Sequence, residues 1–303
     1  MWNSELLKTA AAHWDAKVKW SSAVPIRWWQ SRQVVRHLNQ KMCGHPVDGF
    51  AAGVRTWLRQ ELGAGVLNRG ISVGCGNGGK EMELLKANLV EHFDLFEISQ
   101  ARVDLGEKRA SDQGFSSRMT FHVADAFEKA SEQTYDIVYW DNALHHMLDV
   151  RAAVEWSRRV LKPGGWLVVH DFVGADRFQF SDRNLEYASR VRKSLPEEFL
   201  ENGAKPGTFV PKDVPRASAA RLIASDPTEA ADSARIVDEV SRMFPQGRWI
   251  MLGGAIYHIG LNDLFWNFER FDAPQLLEQC LIVDDLLSEL GENHYASFIG
   301  RAT

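Results

Sequence analysis

Hydrophobic side chains recur every three or four residues along the first part of the chain, which is the spacing of one face of a helix. A first helix is predicted from Leu6, Leu7, Ala10, Ala11, Trp14 and Val18. Pro25 opens a second helical segment, which carries Trp28, Trp29, Val34, Val35 and Leu38 and ends near Gly44. A third helix is predicted over residues 50–62. The N-terminal region is therefore expected to be helical.

The pattern changes at Gly70, where short apolar runs begin to alternate with helical stretches. Strands are predicted at 71–74, 93–98, 119–123, 135–141 and 166–172. Helices are predicted at 80–89, 100–113 and 150–161, and the Pro-Gly-Gly at 163–165 ends the last of them. Alternation of this kind is typical of an open parallel sheet with helices on both faces.

After Gly174 the alternation stops. Helices are predicted at 184–199, 229–244 and 274–290, and a closing strand at 294–300. The glycine-rich apolar stretch 249–260 is predicted as a strand or a buried turn. A connection of this length inside a sheet protein is usually functional, so we expect it to form a lid.

The composition narrows the class of protein. The 303 residues include 35 basic and 40 acidic side chains, for a formal charge of −5, and 45% are hydrophobic. This is the balance of a soluble globular protein, and net acidity argues against a nucleic-acid partner. No run approaches the roughly 18 apolar residues of a membrane span, and the mixed-charge N-terminus is not typical of a secretory signal. Three widely separated cysteines predict neither a disulfide framework nor a zinc site and favour a cytoplasmic location.

The strongest local signal is the glycine-rich stretch from Gly74 to Glu81, between a predicted strand and a predicted helix. Gly74-xxxx-Gly79-Lys80 matches most of a phosphate-binding loop, but Glu81 stands where Ser or Thr would hold Mg²⁺. Gly74-x-Gly76-xx-Gly79 also matches a dinucleotide fingerprint, with Glu97 about 20 residues further on. The glycine spacing alone leaves both interpretations open.

The motifs that follow resemble those of the class I S-adenosylmethionine (SAM)-dependent methyltransferases. VGCGNG is similar to their first motif, and FDLFEIS places Glu97 at the end of the second strand. VADAF with Asp125, YDIVYWDNALHHMLD and LKPGGWLVVHDFVG then follow in the family's order. The resemblance covers residues 70–174, about a third of the chain. Of the three interpretations, it alone gives a role to Asp125 and to the DNALHH segment.

The resemblance implies an α/β fold with a Rossmann-like methyltransferase sheet, mostly parallel with an antiparallel last strand. It divides the chain into four parts. These are a helical N-terminal cap at 1–65, a SAM-binding core at 66–174, a helical lid or substrate insertion at 175–262, and a C-terminal helix and strand at 263–303 that complete the core.

The resemblance also implies the cofactor, SAM, and its product, S-adenosylhomocysteine. The cofactor residues that it implies are Gly74, Cys75, Gly76, Gly78, Glu97, Ile98, Asp125, Ala126, Asp141, Asn142 and Trp29. Glu97 would accept both ribose hydroxyls, and Asp125 would accept from the adenine amine, although Asp125 also suits a helix N-cap. The family usually has an acidic residue where this chain has Ser72. Ser72 or nearby backbone is expected to replace it, or the cofactor to bind more weakly.

Three candidate catalytic residues, His145, His146 and Asp171, follow the predicted central strands. A hydroxyl acceptor needs a general base, and histidine titrates near neutrality. Asp171 could act as a base or orient a histidine. Packing against the cofactor (His145), helix capping (His146) and loop capping (Asp171) remain alternatives. No recognised metal-ligand spacing is present, so no metal is predicted.

Trp28, Arg177, Glu229 and His258 are the candidate substrate residues, in segments rich in aromatic side chains. Trp28 and Trp29 are expected to form an indole wall over the cationic cofactor. The lid segment resembles a subgroup of bacterial small-molecule methyltransferases. The expected acceptor is a small hydroxylated molecule, glycan-related or a secondary metabolite, with N- and C-methylation open and a homodimer allowed.

Two other functions stay open at this point. A dinucleotide-dependent oxidoreductase would bind NAD. A catalytically weak SAM-fold partner subunit would bind SAM poorly and associate with another chain, and Ser72 is its best support.

Overall fold

The computed structural model describes residues 4–17 and 24–303. Helix α1 spans Ser4–Lys17. Val18, assigned to this helix from the sequence, lies outside the described residues. Helices α2, Arg32–Cys43, and α3, Ala52–Leu62, follow. The second predicted helix is divided in two, because Trp28–Gln30 form a separate 3-10 turn and Ser31 is extended.

Within residues 4–17 and 24–303, seven strands form a single sheet. They are β1 Leu67–Val73, β2 Val90–Glu97, β3 Met119–Val123, β4 Tyr135–Asp141, β5 Leu161–Phe172, β6 Arg248–Gly254 and β7 Asn293–Arg301. Their order is β3-β2-β1-β4-β5-β7-β6. β1 to β5 are parallel, whereas β7 runs antiparallel to both of its neighbours, β5 and β6. This confirms the predicted sheet with its antiparallel last strand.

This topology separates two of the interpretations of the glycine loop. A dinucleotide-binding sheet has the strand order 3-2-1-4-5-6. Here the reversed strand β7 lies between β5 and β6. The strand order therefore favours the methyltransferase resemblance over the dinucleotide alternative.

The helices cover both faces of the sheet. They are α4 Gly79–Lys86, α5 Gln100–Asp112, α6 Ala126–Lys129, α7 Val150–Val160, α8 Asp182–Ser194, α9 Ala219–Ser225, α10 Ile236–Met243, α11 Phe265–Arg270 and α12 Pro274–Glu289. Side chains alternate along each strand. Tyr139 therefore packs into the core shared with α2 to α4, and Trp140 into the core shared with α7 and α10.

The region after β5 differs from the prediction in several places, and it contains two helices, α9 and α11, that were not predicted. The helix predicted over 229–244 begins only at Ile236, because Ala230 has a φ of 46° and its carbonyl accepts the Arg177 N–H. The helix predicted over 184–199 ends at Ser194, and a 3-10 turn follows Pro196. Residues 249–260 contain most of β6 followed by a turn, so both predicted alternatives occur.

The carboxyl ends of the parallel strands bring the predicted site residues to one edge of the sheet. Gly74 follows β1, Glu97 ends β2, Asp141 ends β4 and Asp171 lies one residue before the end of β5. Open α/β sheets bind ligands at this edge. None of the helices among the described residues is both long and apolar enough to cross a bilayer.

Candidate active site

The glycine loop turns sharply between β1 and α4. Gly74, Gly76 and Gly78 have φ values of 64°, 59° and 67°, in the left-handed region that glycine adopts without strain. A Cβ at Gly78 would lie 2.8 Å from the Phe121 ring. The loop therefore needs these glycines for its backbone shape, and Gly78 also for its packing against Phe121.

Glu97 holds the loop from the next strand. Its Oε2 accepts from the Gly76 N–H at 2.8 Å, and its Oε1 accepts from the amides of Ile98 at 2.8 Å and Ser99 at 3.0 Å. Burial raises the pKa of Glu97, against the opposing effect of these amides and of Arg102. A carboxylate has about four acceptor positions, so about one remains, which corrects the prediction that Glu97 accepts both ribose hydroxyls.

Asp125 is the N-cap of α6, and its contact with adenine stays a prediction. Its Oδ1 accepts from the Phe127 N–H at 2.9 Å and so caps α6, and the residue also lines the cleft beside Glu97. Ala126 and Ile98 line the same cleft.

The cleft at the sheet edge has two adjoining lobes. The apolar lobe is lined by Leu7, Trp14, Val73, Gly74, Phe96, Glu97, Ile98, Arg102, Ala124, Asp125, Ala126, Phe127, Asn142, Ala143, His146, Met147 and Thr228. The polar lobe follows the glycine loop and includes Cys75, Gly76, Lys80 and Arg109. Gly74, Arg102 and Asn142 belong to both lobes. This shape fits an elongated ligand with a flat apolar end and a charged tail.

Asp141 lines neither lobe, contrary to the cofactor contact expected for it. Its carboxylate accepts from Lys80 at 2.8 Å, the Tyr139 hydroxyl at 2.6 Å and Asn142 at 2.7 Å. Burial opposes ionisation of Asp141, but Lys80, His170 and the Tyr139 hydroxyl together outweigh it, so the pKa of Asp141 is lowered. Asp141 therefore holds Lys80 and Asn142, which do face the cleft.

Glu81 supplies a carboxylate beside Ser72, where the family's acidic residue is missing. The Ser72 hydroxyl donates to Glu81 Oε1 at 2.7 Å, and Glu81 Oε2 is buried with no hydrogen-bond partner among the residues that the structure describes. Burial raises the pKa of Glu81 to about 7. Because Glu81 is turned into the protein beneath the loop, it does not face a ligand as the phosphate-loop comparison assumed.

His145 lies between two carboxylates. Its Nδ1 bonds to Asp171, and its Nε2 lies 3.4 Å from Glu229 Oε1. Burial alone would lower the pKa of His145, but Asp171 and Glu229 raise it to about 10. His145 is therefore an imidazolium at neutral pH and cannot accept a proton there, which corrects the prediction that it could serve as a base.

Asp171 is fully buried and acts on His145 rather than on a ligand. It accepts from the amides of Ala143 at 3.0 Å, Leu144 at 2.7 Å and Phe172 at 2.7 Å. Burial would raise the pKa of Asp171, but His145 and these amides lower it. Of the roles considered for Asp171, the geometry supports orientation of His145 and loop capping, and not that of a base.

His146 differs from His145 in both position and charge. It lines the apolar lobe, and its Nδ1 lies 3.0 Å from the Thr228 hydroxyl oxygen. Burial and the neighbouring His145 cation lower the pKa of His146 to about 4. His146 is therefore neutral at pH 7 and has a lone pair to offer.

Within the described part of the chain, His145, His146 and Glu229 form one cluster compact enough to consider as a metal site, with ligand atoms within 4.8 Å of one another. Protein partners already account for these groups, since His145 is paired with two carboxylates and His146 with Thr228. The absence of a metal cofactor stays a prediction from the sequence.

The prediction that Trp28 and Trp29 form an indole wall over the cofactor is wrong. Trp28 is buried against Phe50, Tyr257 and Tyr295, and Trp29 is 41% exposed, so neither lines the cleft. Their 3-10 turn packs on α2.

Trp14 takes the place expected for that pair. It lines the apolar lobe, stands edge-on to His146 at 5.3 Å between ring centroids, and carries the Arg102 guanidinium 4.2 Å from its ring centroid. α1 is held there by Asp15, which accepts from the Ser99 hydroxyl and the Ala101 N–H at the start of α5.

The remaining substrate candidates, Arg177, Glu229 and His258, line neither lobe of the cleft. Arg177 donates to the Glu229 main-chain carbonyl at 2.8 Å, so it fixes the loop that presents the Glu229 side chain. His258 packs among aromatic rings, including Phe172 and Phe178, with its Nδ1 buried and unpartnered. Burial lowers the pKa of His258 to about 3. Contact of these residues with an acceptor stays a prediction.

Several site residues had no role in the sequence-based interpretation, namely Trp14, Arg102, Glu81, Asp226 and Thr228. From the sequence, Trp14 was assigned only to the apolar face of the first predicted helix. Thr228 and Asp226 lie in a loop without periodicity, and no signal in the sequence marks them.

The strand order, the glycine loop and the acidic residue that ends β2 together define a class I methyltransferase fold. Residues 68–215 match a family described as "Methyltransferase domain". That segment of the chain is accordingly a methyltransferase domain, and it contains most of the cleft.

Two curated relatives are similar to the core. The 27-O-demethylrifamycin SV methyltransferase of Amycolatopsis mediterranei is 34% identical over 107 residues, 35% of this chain and 39% of the relative. The sterol 4-C-methyltransferase strm-1 of Caenorhabditis elegans is 25% identical over 143 residues, 45% of this chain and 42% of the relative. The matches thus span less than half the length of either relative.

A solved structure extends the similarity of fold to almost the whole chain. Geranyl diphosphate C-methyltransferase from Streptomyces coelicolor superimposes with a TM-score of 0.55 at 11% identity, covering 99% of each chain. That protein was solved with Mg²⁺, geranyl diphosphate and S-adenosylhomocysteine. At this identity, the likeness concerns the fold.

Proposed function

We propose that this chain is a SAM-dependent methyltransferase that methylates a hydroxyl oxygen of a small-molecule acceptor. The observation that carries the proposal is the two-lobed cleft at the carboxyl edge of a methyltransferase-type sheet. It offers an apolar lobe for adenine, Glu97 for the ribose and a polar lobe for the amino-acid tail. Bound there, SAM supplies an electrophilic methyl group and leaves as S-adenosylhomocysteine when the carbon–sulfur electron pair returns to sulfur.

The chain's own residues would hold the cofactor in named places. Asp125 and Ala126 lie at the adenine end, and the backbone from Gly74 to Gly78 follows the tail. Lys80, fixed by Asp141, is placed for the tail carboxylate. Glu81 accepts from Ser72 beneath the loop but does not face the cleft, so it does not replace the missing acid. The groups that do face the cleft fit SAM, and they weaken the case for a partner subunit that binds SAM poorly.

A hydroxyl acceptor must lose its proton as the new oxygen–carbon bond forms. Of the three catalytic candidates, His146 is the group that is neutral and faces the cleft. His145, held as a cation between Asp171 and Glu229, fixes the neighbouring wall. Exclusion of water by α1 would further favour transfer to the acceptor over side reactions.

Calorimetric titration tests the cofactor assignment. SAM is expected to give saturable heat at micromolar concentration, and NAD to give none. Glu97→Gln is expected to weaken SAM binding about tenfold or more, because a charge-assisted hydrogen bond is lost. A thermal melt of the variant controls for folding. Binding of NAD in preference to SAM would overturn the proposal. Transfer itself is then followed with methyl-labelled SAM and a panel of methyl glycosides and phenols.

A further inference from the structure

The loop before α10 holds a chain of hydrogen bonds that ends on His146. The Thr228 hydroxyl donates to Asp226 Oδ1 at 2.6 Å, and the Thr228 N–H donates to the same oxygen at 2.9 Å. His146 Nδ1 lies 3.0 Å from the Thr228 hydroxyl oxygen. Asp226 and Thr228 are each 2% exposed, so these hydrogen bonds are shielded from water.

The direction of these bonds assigns the proton on His146. A carboxylate accepts and does not donate, so the single hydroxyl proton of Thr228 is committed to Asp226. The Thr228 oxygen must then accept from His146, which places the histidine's proton on Nδ1. In the neutral ring, Nε2 is consequently the nitrogen with a free lone pair.

We propose that Thr228 and Asp226 are positioning residues, which hold His146 with Nε2 ready to take the proton of the acceptor hydroxyl. This rests on the proposed function. In the step, the acceptor O–H proton moves to Nε2, the acceptor oxygen forms its bond to the methyl carbon, and the Nδ1–H stays on Thr228. The ring then carries one positive charge.

The charges around His146 explain why these hydrogen-bonded residues are needed to stabilise its protonated form. The His145 cation lies on the same 3-10 turn, with ring centroids 4.1 Å apart, and it opposes a second positive charge. The anions that favour this charge are Asp226 and Glu229 from the loop and Asp171 from β5. Asp226 Oδ2 lies 3.9 Å from His146 Nδ1 and 3.8 Å from His13 Nε2 on α1. Asp226 is thus the anion on the Nδ1 side of the ring, where it stabilises the imidazolium as it forms.

Long-range ¹H–¹⁵N NMR of the labelled chain, without cofactor or acceptor, tests the tautomer. At pH 7 we expect His146, assigned by loss of its signal in His146→Gln, to carry its proton on Nδ1. Thr228→Val removes the acceptor while keeping the shape, and we expect a mixture of tautomers and a lower pKa for the ring. Thr228→Ser should restore the wild-type spectrum. A proton on Nε2 in the wild type would overturn the proposal.

Turnover of an acceptor from the labelled-methyl panel tests the positioning role. In Thr228→Val, kcat is expected to fall about tenfold or more, with KM for SAM within about twofold, because base catalysis is lost and binding is kept. Thr228→Ser should recover kcat, and Thr208→Val, at an exposed position, should leave it unchanged. An unchanged kcat beside an altered tautomer would contradict the positioning role. The predicted tautomer without any SAM binding would count against the proposed function alone.

Discussion

At the scale of single residues, the site depends on two adjacent histidines with opposite charge states. His145 and His146 differ because Asp171 and Glu229 hold the first as a cation, and that cation then keeps the second neutral. Two neighbouring imidazoliums would repel strongly in a buried site. The division of roles therefore follows from which ring the buried carboxylate contacts.

The pairing of His145 with Asp171 predicts a pH-dependent contribution to stability. Replacing His145 with Gln should lower the free energy of unfolding by about 3–5 kcal/mol near pH 6, because the Asp171 charge stays buried without its partner. Denaturant titration of wild type and variant measures the difference.

The sign of the pH effect follows from the raised pKa of His145, from an ordinary 6.5 to about 10. Its contribution is complete below pH 6.5 and is lost as the pH rises toward 10. The wild-type advantage over His145→Gln should therefore shrink from pH 6 to pH 9.5. The matched substitution His92→Gln, at an exposed position on β2, should change stability by less than about 0.5 kcal/mol. A constant difference across this range would contradict the ion pairing.

At the scale of elements, α1 forms part of the wall of the cleft. Trp14 and Leu7 line the apolar lobe, Asp15 ties α1 to the start of α5, and His13 approaches Asp226 in the loop before α10. One short helix thus touches the cofactor cleft and the residues that position His146.

Removing the Trp14 ring should weaken cofactor binding. Trp14→Ala is expected to raise the Kd for SAM about tenfold, because the aromatic wall of the lobe and its contact with the Arg102 guanidinium are lost. Trp29→Ala is the matched control, because that indole is 41% exposed and lines neither lobe. Calorimetry on both variants gives the comparison. Equal effects of the two substitutions would show that α1 does not cover the cofactor.

The sequence predicted elements wherever periodicity exists. The five parallel strands repeat a short apolar pattern, and the site residues at their ends follow from the rule that parallel strands finish at one edge. Trp14, Thr228 and Asp226 reach the site through the packing of α1 and of an irregular loop. No local pattern records such contacts, which is also why Trp28 and Trp29 were assigned to the wrong place.

At the scale of the whole molecule, distant parts of the 303-residue chain meet at one cleft. The sheet supplies Gly74, Glu97 and Asp171, while α1 and the loop before α10 supply Trp14, Thr228 and Asp226. The four-part division of the chain, the cytoplasmic location, a homodimer and the absence of a nucleic-acid partner stay predictions. None of them enters the chemistry proposed for the site.

A crystal structure of the complex with S-adenosylhomocysteine tests the central claim most directly. We expect adenosine to lie between Glu97 and Asp125 and the amino-acid tail to follow Gly74 to Gly76 toward Lys80. The sulfur should then be directed toward the side of the cleft that holds His146. Product bound elsewhere, or His146 separated from the sulfur by the adenosine, would contradict it.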